Sequence, residues 1–173
     1  MKLFGKWLKG SSPDAKKVEN TFAVEAPAAA TNGQEPIGQN RKILVVDDNQ
    51  VVLKAFELKF NALGFEVFKA TDGAAAVSCA RHEKPDVIVL DINFPPDVGS
   101  SGLQWDGFNI MQWLQRFKEV AEIPVIIITS GDPEKLKNRA LSSGAVAFFQ
   151  KPINHEELLV SVRRALRAKP QVA

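Results

Sequence analysis

The chain contains the run Ile43-Leu44-Val45-Val46-Asp47-Asp48, in which four apolar residues end abruptly in two acidic ones. A second run, Val87 to Leu90, ends in the same way at Asp91. Short Val- and Ile-rich runs without polar alternation predict strands of a parallel sheet that is covered on both faces. Ligand sites in such sheets lie at the carboxyl ends of the strands. If the two strands are neighbours, the pattern predicts three carboxylates in one crevice.

The three carboxylates of this predicted cluster need a compensating charge. Each close pair repels by about 1 to 4 kcal/mol at an effective dielectric constant between that of water and that of a protein surface. A hard divalent cation is the simplest compensation, because it prefers oxygen ligands. We therefore expect a metal site formed by Asp47, Asp48 and Asp91.

Strand-like runs alternate with helical periodicity from Arg41 onwards. The predicted strands lie near 42–46, 66–70, 86–90, 124–129 and 145–149, and the predicted helices near 50–63, 73–83, 107–119, 133–142 and 154–168. Five strand–helix units in succession predict an α/β fold with a doubly wound, five-stranded parallel sheet. Asp132-Pro133 is typical of a helix start, and Asn154 with Glu157 resembles a capping box.

Composition and charge limit the possible classes of protein. The chain has 173 residues with 22 basic and 20 acidic side chains, so its near-balanced charge gives no reason to expect direct nucleic-acid binding. Residues 1–40 are predicted to form a basic N-terminal segment and a flexible linker, 41–169 one folded domain, and 170–173 a short tail. Without a signal peptide or a run of about 20 apolar residues, the expected location is the cytoplasm.

Two further strands end in polar groups that suit phosphoryl chemistry. The fourth predicted strand ends in Thr129-Ser130, and the fifth ends near Lys151. A carboxylate can act as a nucleophile, an ammonium group and a cation can neutralise phosphate oxygens, and a hydroxyl can donate a hydrogen bond to one of them. Taken singly, Asp48 or Asp91 is equally well explained as a helix N-cap, but the ordered set of groups favours a site.

These dispersed motifs resemble the response regulator receiver domain of two-component signalling over roughly residues 41–168. The matching features are the acidic pair after strand one, Asp91 after strand three, Thr129 with a small following residue, and Lys151-Pro152. The resemblance implies a flavodoxin-like receiver architecture. Because the sequence ends at Ala173, soon after the last predicted helix, we expect a stand-alone, single-domain response regulator. It also implies a cis peptide bond before Pro152.

The resemblance further implies a role for each site residue. Asp91 would accept a phosphoryl group from a histidine kinase or a histidine phosphotransfer protein. Asp48, Asp91 and the backbone carbonyl of Asn93 would bind Mg²⁺, with Asp47 acting largely through water. Thr129 and Lys151 would contact the phosphoryl oxygens. Thr129 and Phe148 would form the switch that changes the face of helix four, strand five and helix five, which binds an unknown downstream protein.

Two segments depart from the receiver pattern. Residues 96–105 are longer than the usual connection and contain Gly and Ser before an apolar end. They are explained either as a loop that tunes partner access and phosphoryl lifetime or as a tolerated surface insertion. Residues 2–9 place apolar side chains opposite lysines, which leaves open partner docking, contact with an anionic membrane surface, or a disordered end.

Alternative functions remain open. The chain could be a receiver-like scaffold that binds partners without phosphorylation. A phosphatase of the haloacid-dehalogenase type also uses an aspartate after a strand with magnesium, but it requires a second Asp where this chain has Asn93. We therefore expect a signalling protein rather than an enzyme, with phosphotransfer to itself and autodephosphorylation as its only chemistry.

Overall fold

The computed structural model describes residues 37–93 and 107–168. The strands are β1 (Lys42–Val46), β2 (Glu66–Ala70), β3 (Val87–Asp91), β4 (Val125–Thr129) and β5 (Ala147–Gln150). The helices are α1 (Gln50–Ala62), α2 (Gly73–Glu83), α3 (Gly107–Arg116), α4 (Pro133–Ser142) and α5 (His155–Ala168). The predicted α/β alternation is confirmed. The largest difference is at the end of α3, where the chain after Arg116 forms turns instead of continuing the helix.

The five strands form one parallel sheet in the order β2-β1-β3-β4-β5. β1 and β3 are neighbours, with Val46 opposite Leu90. The next residues in the chain, Asp47 and Asp91, therefore lie at the same level, at the carboxyl ends of the two strands. The strand order reverses between β1 and β3, which is where such sheets bind their ligands. The predicted doubly wound, flavodoxin-like fold is confirmed.

The helices cover both faces of the sheet. Leu44 and Val46 of β1 point to the face covered by α2, α3 and α4, whereas Ile43 and Val45 point to the face covered by α1 and α5. All five residues of β3 and all five of β4 are buried. Continuous Val and Ile runs fit this environment because both faces of a central strand are apolar. The two apolar layers hold the strand ends in place at the site.

Side chains fix the starts of several helices. Asn49 caps α1 by accepting hydrogen bonds from two backbone N–H groups of its first turn. Asp132 caps α4 and is followed by Pro133 at the first helical position, as predicted. Before α5, Asn154 Oδ1 accepts from the backbone N–H groups of Glu156 and Glu157, while its Nδ2 donates to the Glu157 carboxylate over 3.0 Å. The reciprocal bond therefore joins two side chains, and does not reach the backbone N–H of Asn154 as in a standard capping box.

Some of the predictions lie outside the described residues. These are the basic segment at 2–9 and its linker up to residue 36, the insertion at 96–105, and the tail at 170–173. The boundaries predicted for the folded domain also stay a prediction. Within residues 37–93 and 107–168, no helix is long and apolar enough to span a bilayer.

Candidate functional site

Three carboxylates meet at the carboxyl ends of β1 and β3. One oxygen from each of Asp47, Asp48 and Asp91 lies within 4.8 Å of the other two. Asp47 and Asp91 are almost fully buried, at 0% and 3% exposure, whereas Asp48 faces solvent. An all-oxygen donor set with one open side fits a hard divalent cation such as Mg²⁺. The predicted convergence of the three acids is therefore present, and the residues fit the expected metal ion.

Asp47 and Asp91 are held by the same local geometry. Asp47 Oδ1 accepts a hydrogen bond from the backbone N–H of Asn49 over 2.9 Å, and Asp91 Oδ1 accepts one from the backbone N–H of Asn93 over 2.8 Å. An aspartate that binds the backbone two residues further on forms an Asx-turn, which redirects the chain after a strand. One oxygen of each carboxylate is thus fixed by the backbone, and the other is left to meet other groups of the site.

Lys151 reaches these second oxygens from the end of β5. Its Nζ donates to Asp47 Oδ2 over 2.7 Å and to Asp91 Oδ2 over 2.5 Å. Its backbone N–H donates to the carbonyl oxygen of Thr129 over 2.7 Å, which anchors it to the end of β4. The Lys151–Pro152 peptide bond is cis, as expected from the resemblance. The ammonium group therefore neutralises part of the carboxylate repulsion from within the protein.

Burial and hydrogen bonding oppose each other at this ion pair. Burial raises the pKa of the Asp91 carboxyl, and the hydrogen bonds from Lys151 and from the Asn93 N–H offset this only in part. Burial alone lowers the pKa of the Lys151 ammonium, but its hydrogen bonds to Asp47 and Asp91 outweigh that effect, and the pKa is raised. Lys151 consequently stays charged at neutral pH, while ionisation of Asp91 is less favourable than in water.

Thr129 and Phe148, the predicted switch residues, lie on neighbouring strands. Thr129 ends β4 and is fully buried, with its Oγ1 accepting a hydrogen bond from the Gly131 N–H over 3.0 Å. Phe148 lies on β5 opposite Ile127 and is partly buried against the core layer of α2, α3 and α4. Thr129 thus lies at the same end of the sheet as Asp91. Phe148 is opposite Ile127, two residues before Thr129 along β4.

Besides the Lys151 bridge, two further contacts of the site were not predicted from the sequence. The N-cap of α1 is Asn49, so Asp48 is not needed for capping and its carboxylate lies beside the other two acids. The Asn93 side chain donates to Ser130 Oγ over 2.8 Å, which links the end of β3 to the residue after β4. The first contact has a sequence signal, since Asn directly before a helical run is a strong N-cap residue. The second depends on the strand order and on two rotamers, for which the sequence has no local signal.

An apolar pocket of about 270 Å³ borders the site on its α1 side. Its lining residues are Val52, Ala55, Phe56, Lys151, Pro152, Ile153 and His155. Lys151 thus belongs to both regions, because its ammonium group contacts two of the acids and the residue also lines the pocket. The charged site is therefore continuous with apolar surface.

An open parallel sheet with three carboxylates and an ammonium group at its switch point is typical of a phosphoryl-accepting signalling domain. A family model, the response regulator receiver domain, matches residues 43–163. The chain therefore belongs to the response regulator receiver family of two-component systems. Receiver domains are generally signalling modules that do not act as enzymes.

Curated relatives and solved structures agree with this assignment. The chain is 35% identical over 125 residues to protein PilH of Pseudomonas aeruginosa, covering 72% of this chain and 97% of PilH. It is 30% identical over 131 residues to the DNA-binding dual master transcriptional regulator RpaA of Synechocystis, covering 76% of this chain and 51% of RpaA. Among solved structures, the chemotaxis protein CheY4 of Vibrio cholerae has a TM-score of 0.64 and 28% identity, covering 73% of this chain and 98% of that chain. The chain thus spans nearly all of PilH but only about half of RpaA.

Proposed function

We propose that this protein accepts a phosphoryl group on Asp91 from a phosphohistidine and then changes its binding to a downstream protein. The observation that carries the proposal is the position of Asp91: it is buried, lies beside two other carboxylates, and is hydrogen-bonded to Lys151. The donor would be a histidine kinase or a histidine phosphotransfer protein, and the reaction would take place in the cytoplasm.

Asp91 has the chemistry required of the acceptor. In its ionised form one carboxylate oxygen attacks phosphorus, an O–P bond forms, and the N–P bond of the phosphohistidine breaks with its electron pair returning to the imidazole. The product is an aspartyl phosphate, and no oxidant or further reactant is needed. The Lys151 ammonium group, which already contacts Asp91, is placed to neutralise a phosphoryl oxygen.

The acidic cluster supports a magnesium requirement. Asp48 and Asp91 would hold Mg²⁺ together with the Asn93 backbone carbonyl, and Asp47 would act largely through water. The bound ion would supply positive charge to the phosphoryl oxygens in the transition state. The protein residues orient the acceptor: Asn93 and Lys151 each hold one oxygen of the Asp91 carboxylate, through hydrogen bonds of 2.8 and 2.5 Å.

The output face would consist of α4, β5 and α5. Three large apolar side chains of this part of the chain are exposed, Leu141 at 46%, Val146 at 52% and Val160 at 63%. Phosphorylation adds about 1.5 to 2 negative charges at Asp91, which favours movement of the Thr129 hydroxyl towards the new oxygens. Phe148, packed beside β4, would then turn inward and change the shape of the face. Apolar surface of this kind suits a protein partner.

The two alternative functions have less support. A phosphatase of the haloacid-dehalogenase type needs an acid two residues after the nucleophile, and Asn93 has no proton to transfer as a general acid at that position. A scaffold that is never phosphorylated would not need a buried aspartate such as Asp91, whose carboxylate oxygen accepts a hydrogen bond from Lys151. We keep the scaffold as the second candidate, because partner binding through the output face does not itself depend on the chemistry.

A direct test is to incubate the intact chain with acetyl phosphate and Mg²⁺ and to measure phosphorylation by mass spectrometry. The wild-type protein should gain one phosphoryl group, Asp91→Asn should gain none, and EDTA should abolish the reaction. Asp86→Asn is a matched control, because Asp86 binds Arg41 and the Lys42 N–H at the opposite end of the sheet. Equal modification of wild type and Asp91→Asn would overturn the assignment of the acceptor.

A further inference from the structure

The side chains of Asn93 and Ser130 link the residues that follow the neighbouring strands β3 and β4. Asn93 Nδ2 donates to Ser130 Oγ over 2.8 Å, although the two residues are 37 positions apart in the chain. Both residues are exposed, so each could instead form hydrogen bonds with water. A direct bond between two exposed side chains restricts both residues only if other contacts hold them close together.

This bridge closes a ring of hydrogen bonds around the acceptor. Asn93 N–H binds one oxygen of Asp91 and Lys151 Nζ binds the other. The Lys151 backbone N–H binds the Thr129 carbonyl, and Thr129 is covalently joined to Ser130. The ring therefore passes through the ends of β3, β5 and β4 and returns to Asn93 through the Ser130 hydroxyl. Each member of the ring limits the movement of its neighbours. Asp91 is itself a member, because both of its carboxylate oxygens accept hydrogen bonds within the ring.

The turn after Ser130 packs closely against its neighbours at Gly131. A Cβ atom added to Gly131 would lie 2.5 Å from Leu136 Cδ1, 3.3 Å from Thr129 Oγ1 and 3.6 Å from Asn93 Nδ2. The Gly131 N–H also donates to Thr129 Oγ1. A residue without a Cβ at position 131 thus allows the turn after Ser130 to approach both Thr129 and the Asn93 amide.

We propose that Ser130 is a positioning residue for the phosphoryl site, whose hydroxyl holds the Asn93 side chain so that the Asn93 backbone stays oriented towards Asp91 and Mg²⁺. The inference rests on the proposed function for its metal part only. Asn93 has two backbone roles: its N–H fixes Asp91 Oδ1, and its carbonyl is the expected metal ligand. Fixing its side chain lowers the entropy lost when the carbonyl binds the ion, because fewer conformations of Asn93 itself remain to be excluded.

The first experiment measures Mg²⁺ affinity by calorimetric titration of the intact chain. Ser130→Ala removes the hydroxyl, and its dissociation constant for Mg²⁺ should rise about two- to tenfold, the range expected for one hydrogen bond. Ser130→Thr keeps a hydroxyl at the same atom and should restore the affinity to within about twofold. Ser142→Ala, at the exposed end of α4, is a matched control that should leave the affinity unchanged.

The second experiment needs no metal. Backbone amide exchange of Asn93, measured by NMR in the presence of EDTA, should be faster in Ser130→Ala than in wild type and should recover in Ser130→Thr. The midpoint of urea unfolding should be the same in wild type and Ser130→Ala, which separates a local positioning effect from a general loss of stability. Wild-type exchange of Asn93 in Ser130→Ala would overturn the inference.

Failure of the proposed function has a different signature from failure of this inference. If wild type and Asp91→Asn were modified equally by acetyl phosphate, the acceptor assignment would fail, while faster Asn93 exchange in Ser130→Ala would still support the positioning of Asn93. If wild type binds Mg²⁺ and Ser130→Ala binds it equally well, the metal part of the inference is wrong and the acceptor assignment is unaffected. The two proposals are therefore tested independently.

Discussion

Lys151 Nζ lies 2.5 Å from Asp91 Oδ2 and shares its charge with Asp47, so an ammonium group from β5 bridges the ends of β1 and β3. The side chains of both aspartates are at least 96% buried, and that of Lys151 is three-quarters buried. Breaking a charged network of this kind leaves two buried carboxylates without their counter-ion. The central ion pair is therefore a structural element as well as a candidate functional one.

Replacing Lys151 by Met keeps the length of the side chain and removes its charge. In EDTA we expect the free energy of unfolding to fall by about 1.5 to 3 kcal/mol, the range for hydrogen bonds to charged groups. Urea titration followed by circular dichroism measures it. Lys54→Met is the control, because the Lys54–Glu57 pair lies on the surface with the lysine 64% exposed, and its loss should change stability by less than about 1 kcal/mol. Equal effects of the two substitutions would contradict the role of Lys151.

The raised pKa of Asp91 predicts how stability depends on pH. Burial places the pKa in the folded protein above the ordinary value of 3.8, so the folded state holds the Asp91 proton more tightly than the unfolded chain does. Between 3.8 and the folded-state pKa, the folded state binds more protons, and stability must fall as the pH rises. Asp91→Asn lacks this ionisation. In EDTA, the stability of wild type minus that of Asp91→Asn should therefore decrease with rising pH across this window and level off above it. A difference that increases with pH would show that the carboxylate is stabilised, not destabilised, by its surroundings.

The sequence was sufficient to predict the sheet, because its central strands are continuous apolar runs such as Ile43 to Val46, and these have few alternatives in a covered parallel sheet. The meeting of Asp47 with Asp91 followed once β1 and β3 were neighbours, which the strand order confirms. The clustering of the three acids was likewise predicted from the positions at which the strands end.

What escaped prediction depends on side-chain geometry between segments far apart in the chain. From the sequence, a metal ion was expected to compensate the acidic charge, whereas in the structure Lys151 also bridges Asp47 and Asp91 directly. The Asn93–Ser130 bond was missed for the same reason. A flexible lysine or a paired amide and hydroxyl carries no periodicity, so such contacts become visible only when the strand register and the rotamers are known.

Gly107 is expected to tolerate no side chain. A Cβ at this position, the first residue of α3, would lie 2.5 Å from the Cα and 2.4 Å from Cγ2 of Ile92, which follows the acceptor strand. Since a backbone atom cannot rotate away, Gly107→Ala should destabilise the protein by about 1 to 3 kcal/mol, the range for overpacking. The midpoint of urea unfolding measures this, and an unchanged midpoint would show that α3 can move away from β3. If α3 does shift, acetyl phosphate labelling of the variant should also slow, because Ile92 lies between Asp91 and Asn93.

Magnesium should stabilise the folded protein, since its expected ligands are formed by distant parts of the chain only after folding. At a Mg²⁺ concentration ten times the dissociation constant, the gain should be about 1.4 kcal/mol, and it should grow with concentration as mass action requires.

Asp48→Ala removes an exposed carboxylate whose oxygen lies within 4.8 Å of those of Asp47 and Asp91. We expect this variant to lose most of the magnesium-dependent gain while its stability in EDTA stays equal to or above that of wild type, because the substitution also relieves repulsion. Thermal unfolding with and without Mg²⁺ measures both quantities. Glu66→Ala, which removes an exposed acid from β2, is the control for general charge effects. If Mg²⁺ raises the unfolding temperature of Asp48→Ala as much as that of wild type, Asp48 is not a metal ligand, and the predicted division between metal-binding acids and acceptor is wrong.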